Sequence, residues 1–170
     1  MSDDSVAAMQ QMSIPGPEHE RLLAFEGTFR ATVKLWMGPG DPMISTGTMT
    51  NTMDLGGRFL RQDYKGDPIE GSDPGPAFEG RGFWGFNKAT GRYEGFWVDT
   101  ASTIMQTEFG SVDDTGKVWT MLGEMEHQPG QTVRKRTVIT LTDTDHHSMV
   151  TYFQMGDDES KGMEIQYERA

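Results

Sequence analysis

The sequence predicts a single all-β domain: an antiparallel up-and-down barrel of about ten strands with one short N-terminal helix. Three observations predict it. There are 21 glycines in 170 residues, there are ten short runs rich in Thr, Val, Phe, Tyr, Trp and Met, and Gly, Pro, Asp and Asn break those runs apart. Most runs start within about 11 to 15 residues of the last, which leaves no room for crossover helices. Strands joined in this way must hide the two edges of their sheet, and closure into a barrel does so more completely than an open sheet. A β-sandwich is the alternative.

The elements follow in order. Residues 1–15, beginning MSDDSVAAMQQMS, lack the basic start and apolar stretch of a secretion signal and read as a flexible start. Gly16 and Pro17 then introduce a helix over Glu18–Phe25. Proline suits its first turn, acidic side chains suit its positive end, and Leu22, Leu23 and Phe25 can plug a core. Strands are expected at Phe25–Trp36, Ile44–Asp54, Arg58–Lys65, Phe78–Asn87, Arg92–Asp99, Thr103–Val112, Lys117–Glu126, Thr132–Thr142, His147–Met155 and Lys161–Arg169. Between them lie turn sequences: Gly38 to Pro42, Asn87 to Gly91, Asp113 to Gly116, Gln128 to Gly130 and Gly156 to Asp158. One longer loop, Gly66 to Pro76, holds three prolines and three glycines and reads as a lid over the barrel mouth or as a surface excursion.

Composition narrows the function. The net charge of −11 repels phosphate backbones, and the 15 Lys and Arg are spread along the chain, so no nucleic-acid partner is expected. The absence of cysteine excludes disulfides, thiolate metal sites and cysteine nucleophiles. No apolar run is long enough to span a bilayer, so no membrane partner is expected and the cytoplasm is the expected compartment. Nucleophile-elbow, phosphate-loop and zinc-spacing motifs are absent.

The stretches Gly16-Pro17-Glu18-His19, Gly56-Gly57-Arg58-Phe59-Leu60, Gly80-Arg81-Gly82-Phe83-Trp84-Gly85-Phe86-Asn87, Tyr93 with Trp97-Val98-Asp99, and Met163-Glu164-Ile165-Gln166-Tyr167-Glu168-Arg169 resemble a bacterial domain-of-unknown-function ("DUF") family, number 1579. The resemblance spans about Gly16 to Arg169 and implies a lipocalin-like barrel similar to that of the calycins. It implies no catalytic residue.

A site is therefore sought from strand pairing. Pairing across Asn87 to Gly91 sets Arg81 opposite Trp97 and Glu79 opposite Asp99, which gathers Glu79, Arg81, Phe83, Tyr93, Trp97 and Asp99 on one face. A three-residue turn at Thr100 to Ser102 adds Met105, Thr107 and Phe109, and the next hairpin adds Leu122 and Glu124. This mixed face is read as the lumen. The expected ligand-binding residues are Arg81, Phe83, Tyr93, Trp97, Asp99, Met105 and Glu124, with Arg81 orienting a carbonyl or carboxylate and Trp97 stacking. The opposite face holds Trp84, Phe86, Phe96, Val98, Ile104, Gln106, Trp119 and Met121, and a one-residue slip exchanges the two.

The leading expectation is a binder of a small, partly apolar molecule, with the 13 methionines lining an adaptable cavity or simply filling a core. A second is a cyclase, isomerase or other acid-base enzyme in which Asp99 and Glu124 share a low-dielectric lumen. A third is a homodimer that covers an apolar outer face. His146 and His147 point to opposite faces of one strand and form no metal pair; haem would need a histidine in a buried apolar pocket, and no cofactor or metal is expected.

Overall fold

The structure, a computed structural model, describes residues 3–68 and 77–170. The barrel is formed by β1 (Gly27–Leu35), β2 (Met43–Asp54), β3 (Phe59–Gly66), β4 (Glu79–Asn87), β5 (Arg92–Asp99), β6 (Gln106–Val112), β7 (Val118–Gln128), β8 (Gln131–Leu141), β9 (His146–Met155) and β10 (Asp158–Arg169). Each strand pairs antiparallel with its sequence neighbours, and β1 pairs with β10 to close the barrel. Every strand expected from the sequence is present.

Inward positions alternate along each strand, as the pleat requires. Phe29 and Ala31 of β1, Met49 and Asn51 of β2, Leu60 and Gln62 of β3, and Trp119 and Met121 of β7 are buried, while Arg30, Thr50, Arg61 and Leu122 between or beside them are exposed. Glycines in the left-handed region turn the chain where four hairpins were expected, at Gly91, Gly116, Gly130 and Gly156.

One end of the barrel is stoppered. A short helix, α2 (Pro17–Glu20), runs into a 3-10 turn (Arg21–Phe25) that drops Leu22 and Phe25 into the lumen at 0% and 1% exposure. The Gly16-Pro17-Glu18-His19 stretch builds this stopper: Pro17 opens the helix, the Gly16 N–H donates to His19 Nδ1 at 3.0 Å, and the buried His19 ring sits edge-on to Phe86 at 5.9 Å. The Tyr93 hydroxyl donates to the Glu18 carbonyl at 2.9 Å and ties the stopper to the wall. Ahead of it, Asp3–Ser13 forms another helix, α1, outside the barrel, where sequence reading expected no element. Lys88 Nζ donates to the carbonyls of Gln11 and Ile14 and holds the end of that segment.

The loops 36–42, 100–105, 129–130 and 156–157 all lie at the other end, which is the mouth, as do Asp67 and Phe78 beside the ends of β3 and β4. The Gly66 to Pro76 lid reading lies largely on residues 69–76, outside the described residues. Its described start is pinned by Asp67, which accepts hydrogen bonds from Arg30 at 2.6 Å and from Thr46 at 2.5 Å.

Candidate functional site

The lumen has two halves of different character. Nearest the stopper it is solid. Phe25 meets Trp84, Trp119 and His147 edge-on at 5.3–5.6 Å, and Leu22, Leu60, Tyr93, Met121 and Ile139 complete the cluster.

Just above it lies a polar layer. His147 stacks on Tyr167 with ring centres 4.4 Å apart and meets Phe29 edge-on at 4.7 Å. Burial, and secondarily the charge of Arg169, push its imidazole down to about 4, so the ring is neutral at pH 7. Burial likewise pushes the Tyr167 phenol up. Asn51 donates to the Phe25 carbonyl at 2.8 Å, but its Oδ1 is buried without a partner among the described residues. That amide lines a cavity of about 20 Å³ together with Gln62, His147 and Tyr167, room for one water molecule. Haem does not fit this space.

The mouth half is built differently, around rows of side chains that lie across glycines. Along one row of directly paired residues run Trp84, Gly95, Glu108, Gly123 and Lys135, on β4 to β8. The Trp84 indole lies over Gly95 and donates to Glu108 Oε1 at 3.1 Å. Across Gly123, Glu108 Oε2 meets Lys135 Nζ at 3.1 Å, and Lys135 also approaches Gln106 Oε1 at 3.4 Å. Both side chains of this pair are only 12% exposed. Every other ion pair among the described residues leaves at least one partner more than a third exposed.

The next row toward the mouth repeats the device. Trp97 lies over Gly80 and Gly82 and donates its indole N–H to Asp99 Oδ2 at 3.0 Å, while Tyr64, the partner of Gly80 on the adjoining strand β3, lies over Gly47. The inward side chains of this half, Val33, Trp97, Gln106, Glu108, Lys135 and Met163, are half-buried where those beside the stopper are buried, so it is the more open half, a cup with polar groups set into an aromatic wall.

Only part of the expected site faces this cup. Tyr93, Trp97 and Asp99 point inward, Tyr93 deep in the stopper cluster. Arg81, Phe83, Met105 and Glu124 are on the outside, which corrects the mixed-face register. Phe83 stacks on Phe96 at 5.6 Å, Met105 is 63% exposed, Arg81 pairs with Asp63 and Glu124 pairs with Arg134. The reason is a slip of one residue at each hairpin that bounds β5. Asn87 pairs with Arg92 and Phe86 with Tyr93, because the Asn87 carboxamide accepts from the Ala89 and Thr90 N–H groups and so starts the pairing at Asn87, one residue later than expected. On the other side Trp97 pairs with Gln106: Asp99 and Ser102 accept from the Ala101 and Ile104 N–H groups and build a longer loop. Asp99 and Glu124 therefore lie on opposite faces of the wall and do not share a lumen. His146 and His147 do part to opposite faces, His146 bonding Asp143 outside.

Sequence reasoning missed Glu108, Lys135, Asn51 and Gln62, and placed Gln106 and Trp84 on the wrong face. The signal that marks the lumenal face is glycine itself: Gly80 and Gly82 share a face with Trp84, and Gly95 and Gly123 share it with Glu108 and Lys135.

No group of three or more His, Asp or Glu that could hold a metal ion is found among the described residues. No helix among them is long and apolar enough to cross a membrane.

The fold and the cup define a small closed β-barrel, stoppered at one end and open at the other. The chain belongs to the family described as "Protein of unknown function (DUF1579)", which matches residues 14–169. Among solved structures it is similar to that of Rv2717c from M. tuberculosis, with a TM-score of 0.66 and 14% identity over 92% of this chain and 99% of that one, a likeness of fold alone. No curated protein matches.

Proposed function

We propose that the protein binds a small, partly apolar molecule in the mouth half of the lumen. The observation that carries this is the Glu108–Lys135 pair, two opposite charges held 3.1 Å apart and 12% exposed on the inner wall. A pair so sheltered gains little stability, since desolvation offsets most of its attraction. Packing alone would be served as well by apolar side chains there. The solid half beside the stopper, Trp84 included, fixes the depth of the site, and the Trp97 ring gives it an apolar wall.

Titration with the neutral apolar dye Nile red, followed by its emission and by tryptophan quenching, tests the reading. Saturable binding at one site per chain, lost on replacing Gly80 with Leu to crowd Trp97 into the cup, is the expected result. A folded protein with no saturable binding, and no adduct in native mass spectrometry when freshly purified, would reject it.

A second reading concerns the outer wall. Phe59, Phe109 and Leu122 are 40–44% exposed and continue the stacked Phe83 and Phe96 across β3 to β7. This stripe suits a second copy of the chain. Light scattering that gives a monomer mass at all concentrations would dismiss it.

A further inference from the structure

The hydrogen-bonding capacity left over in the cup specifies the polar end of its ligand. Both of its carboxylates are engaged: Glu108 accepts from Trp84 and is ion-paired with Lys135, and Asp99 accepts from the Trp97 indole and the Ala101 N–H. Deeper in the wall, Thr137 and Thr151 bond each other at 3.1 Å. Donors are left over. An ammonium has three N–H groups, and among the described residues Lys135 spends them on Glu108 and, at a longer 3.4 Å, on Gln106, so one remains. Because Gln106 turns its oxygen to that ammonium, its NH₂ is a second free donor beside the first.

Charge adds a further condition. Glu108 neutralises Lys135 at 3.1 Å, Asp99 lies on β5 four residues nearer the mouth than Gly95, the partner of Glu108, and the whole chain carries −11. An anion entering the cup meets two carboxylates against one ammonium, and a cation set between the two free donors meets the Lys135 ammonium itself. A neutral acceptor meets two free donors and no opposing charge. The apolar side chains around it, Val33 on β1, Met163 on β10 and the Trp97 ring beside Gln106, are partly buried and ask for an apolar body.

We propose that the ligand class of this cup is a neutral hydrogen-bond acceptor, a ketone or carboxamide carbonyl, carried on an apolar body and held between Lys135 Nζ and the Gln106 amide. This rests on the ligand-binding reading above.

Four probes with a shared ten-carbon body test it: 2-decanone, decanamide, decanoate and decylammonium, each displacing Nile red at neutral pH. The expected result is that the ketone and the amide compete at least about tenfold more tightly than either ion, the scale of one good hydrogen bond to a charged donor. Gln106→Leu should narrow that preference several-fold; since Gln106 makes one long side-chain contact, the variant is expected to fold normally, as circular dichroism would show. Lys135→Met together with Glu108→Gln, which removes both charges of the pair at once, should abolish the preference. Equal competition by all four probes would overturn the donor argument and leave a binding cup. Tightest binding by decanoate would also overturn it, by making Lys135 an anion site. Failure of every probe, with Nile red itself unbound, would overturn both readings.

Discussion

Acidification from neutrality brings His147 to the pH at which its ring must accept a proton, and the ring has aromatic neighbours in Phe25, Phe29 and Tyr167. In the unfolded chain that proton binds as the pH falls through 6.5; in the barrel it binds only near 4. Between those values the unfolded state carries more protons, so stability falls as pH falls. The drop from 6.5 to about 4, at ~1.4 kcal/mol per pH unit, costs the fold roughly 3 kcal/mol by pH 4.

Other groups titrate in or near this window. His19, also lowered, adds to the loss. His146, raised by Asp143, acts in the opposite sense: its stabilisation is complete below 6.5 and is lost as pH rises through its folded value. Paired carboxylates such as Asp67, Asp113 and Glu159 are lowered, so their loss comes as pH falls below their ordinary values of 3.8 and 4.5. Urea unfolding of the wild type and of His147→Phe, at half-unit steps from pH 7 to 4.5, separates these contributions. The small cavity beside the ring gives the phenyl group space. The wild type should lose about 2 to 3 kcal/mol more than the variant over that range. Parallel pH profiles would refute the argument, since they would mean that the folded barrel accepts the proton without cost.

Three other outcomes follow from the packing. Phe25→Ala, which empties the stopper at a position 1% exposed, should cost about 3 to 5 kcal/mol in urea unfolding. Lys135→Met alone should destabilise by about 2 kcal/mol, because it strands the Glu108 carboxylate, whereas adding Glu108→Leu should recover most of the loss; a double-mutant cycle measures the coupling. Gly123→Ala brings a Cβ within 2.5 Å of the Thr107 carbonyl oxygen, so the thermal midpoint should drop by an amount equivalent to about 1 to 3 kcal/mol.

The strands were legible because hairpin-linked strands leave two local marks, alternating side chains and turn residues, and both survive without tertiary context. Their ends were legible to within three residues. The Lys161 start expected for the last strand becomes Asp158 because a bulge between Lys161 and Met163 lets the pairing run on past it. Register was another matter. It depended on whether Asn87 belongs to the turn or to the strand, and a single carboxamide accepting two N–H groups decided it. One such slip turns a whole strand over, which is why Tyr93, Trp97 and Asp99 were placed together with Arg81 and Phe83 although the wall divides them. The polar pair at the centre of the site was hidden for a related reason. On β6 the charged Glu108 faces in and Phe109, 43% exposed, faces out, the reverse of what hydrophobicity favours.

The seam between β1 and β10 bears on how the protein is made. The first barrel strand to leave the ribosome finds its second partner only when the last is complete, so β1 keeps an open edge through most of synthesis. Arg169 then fastens the join: it donates to the Glu26 carbonyl at 2.8 Å and to the Thr144 carbonyl, and it lies 4.6 Å over the Phe29 ring. Translation must reach that arginine before the join is fastened, and a chain stopped a few residues short leaves the Phe29 end of β1 without its partner and open to a neighbouring strand.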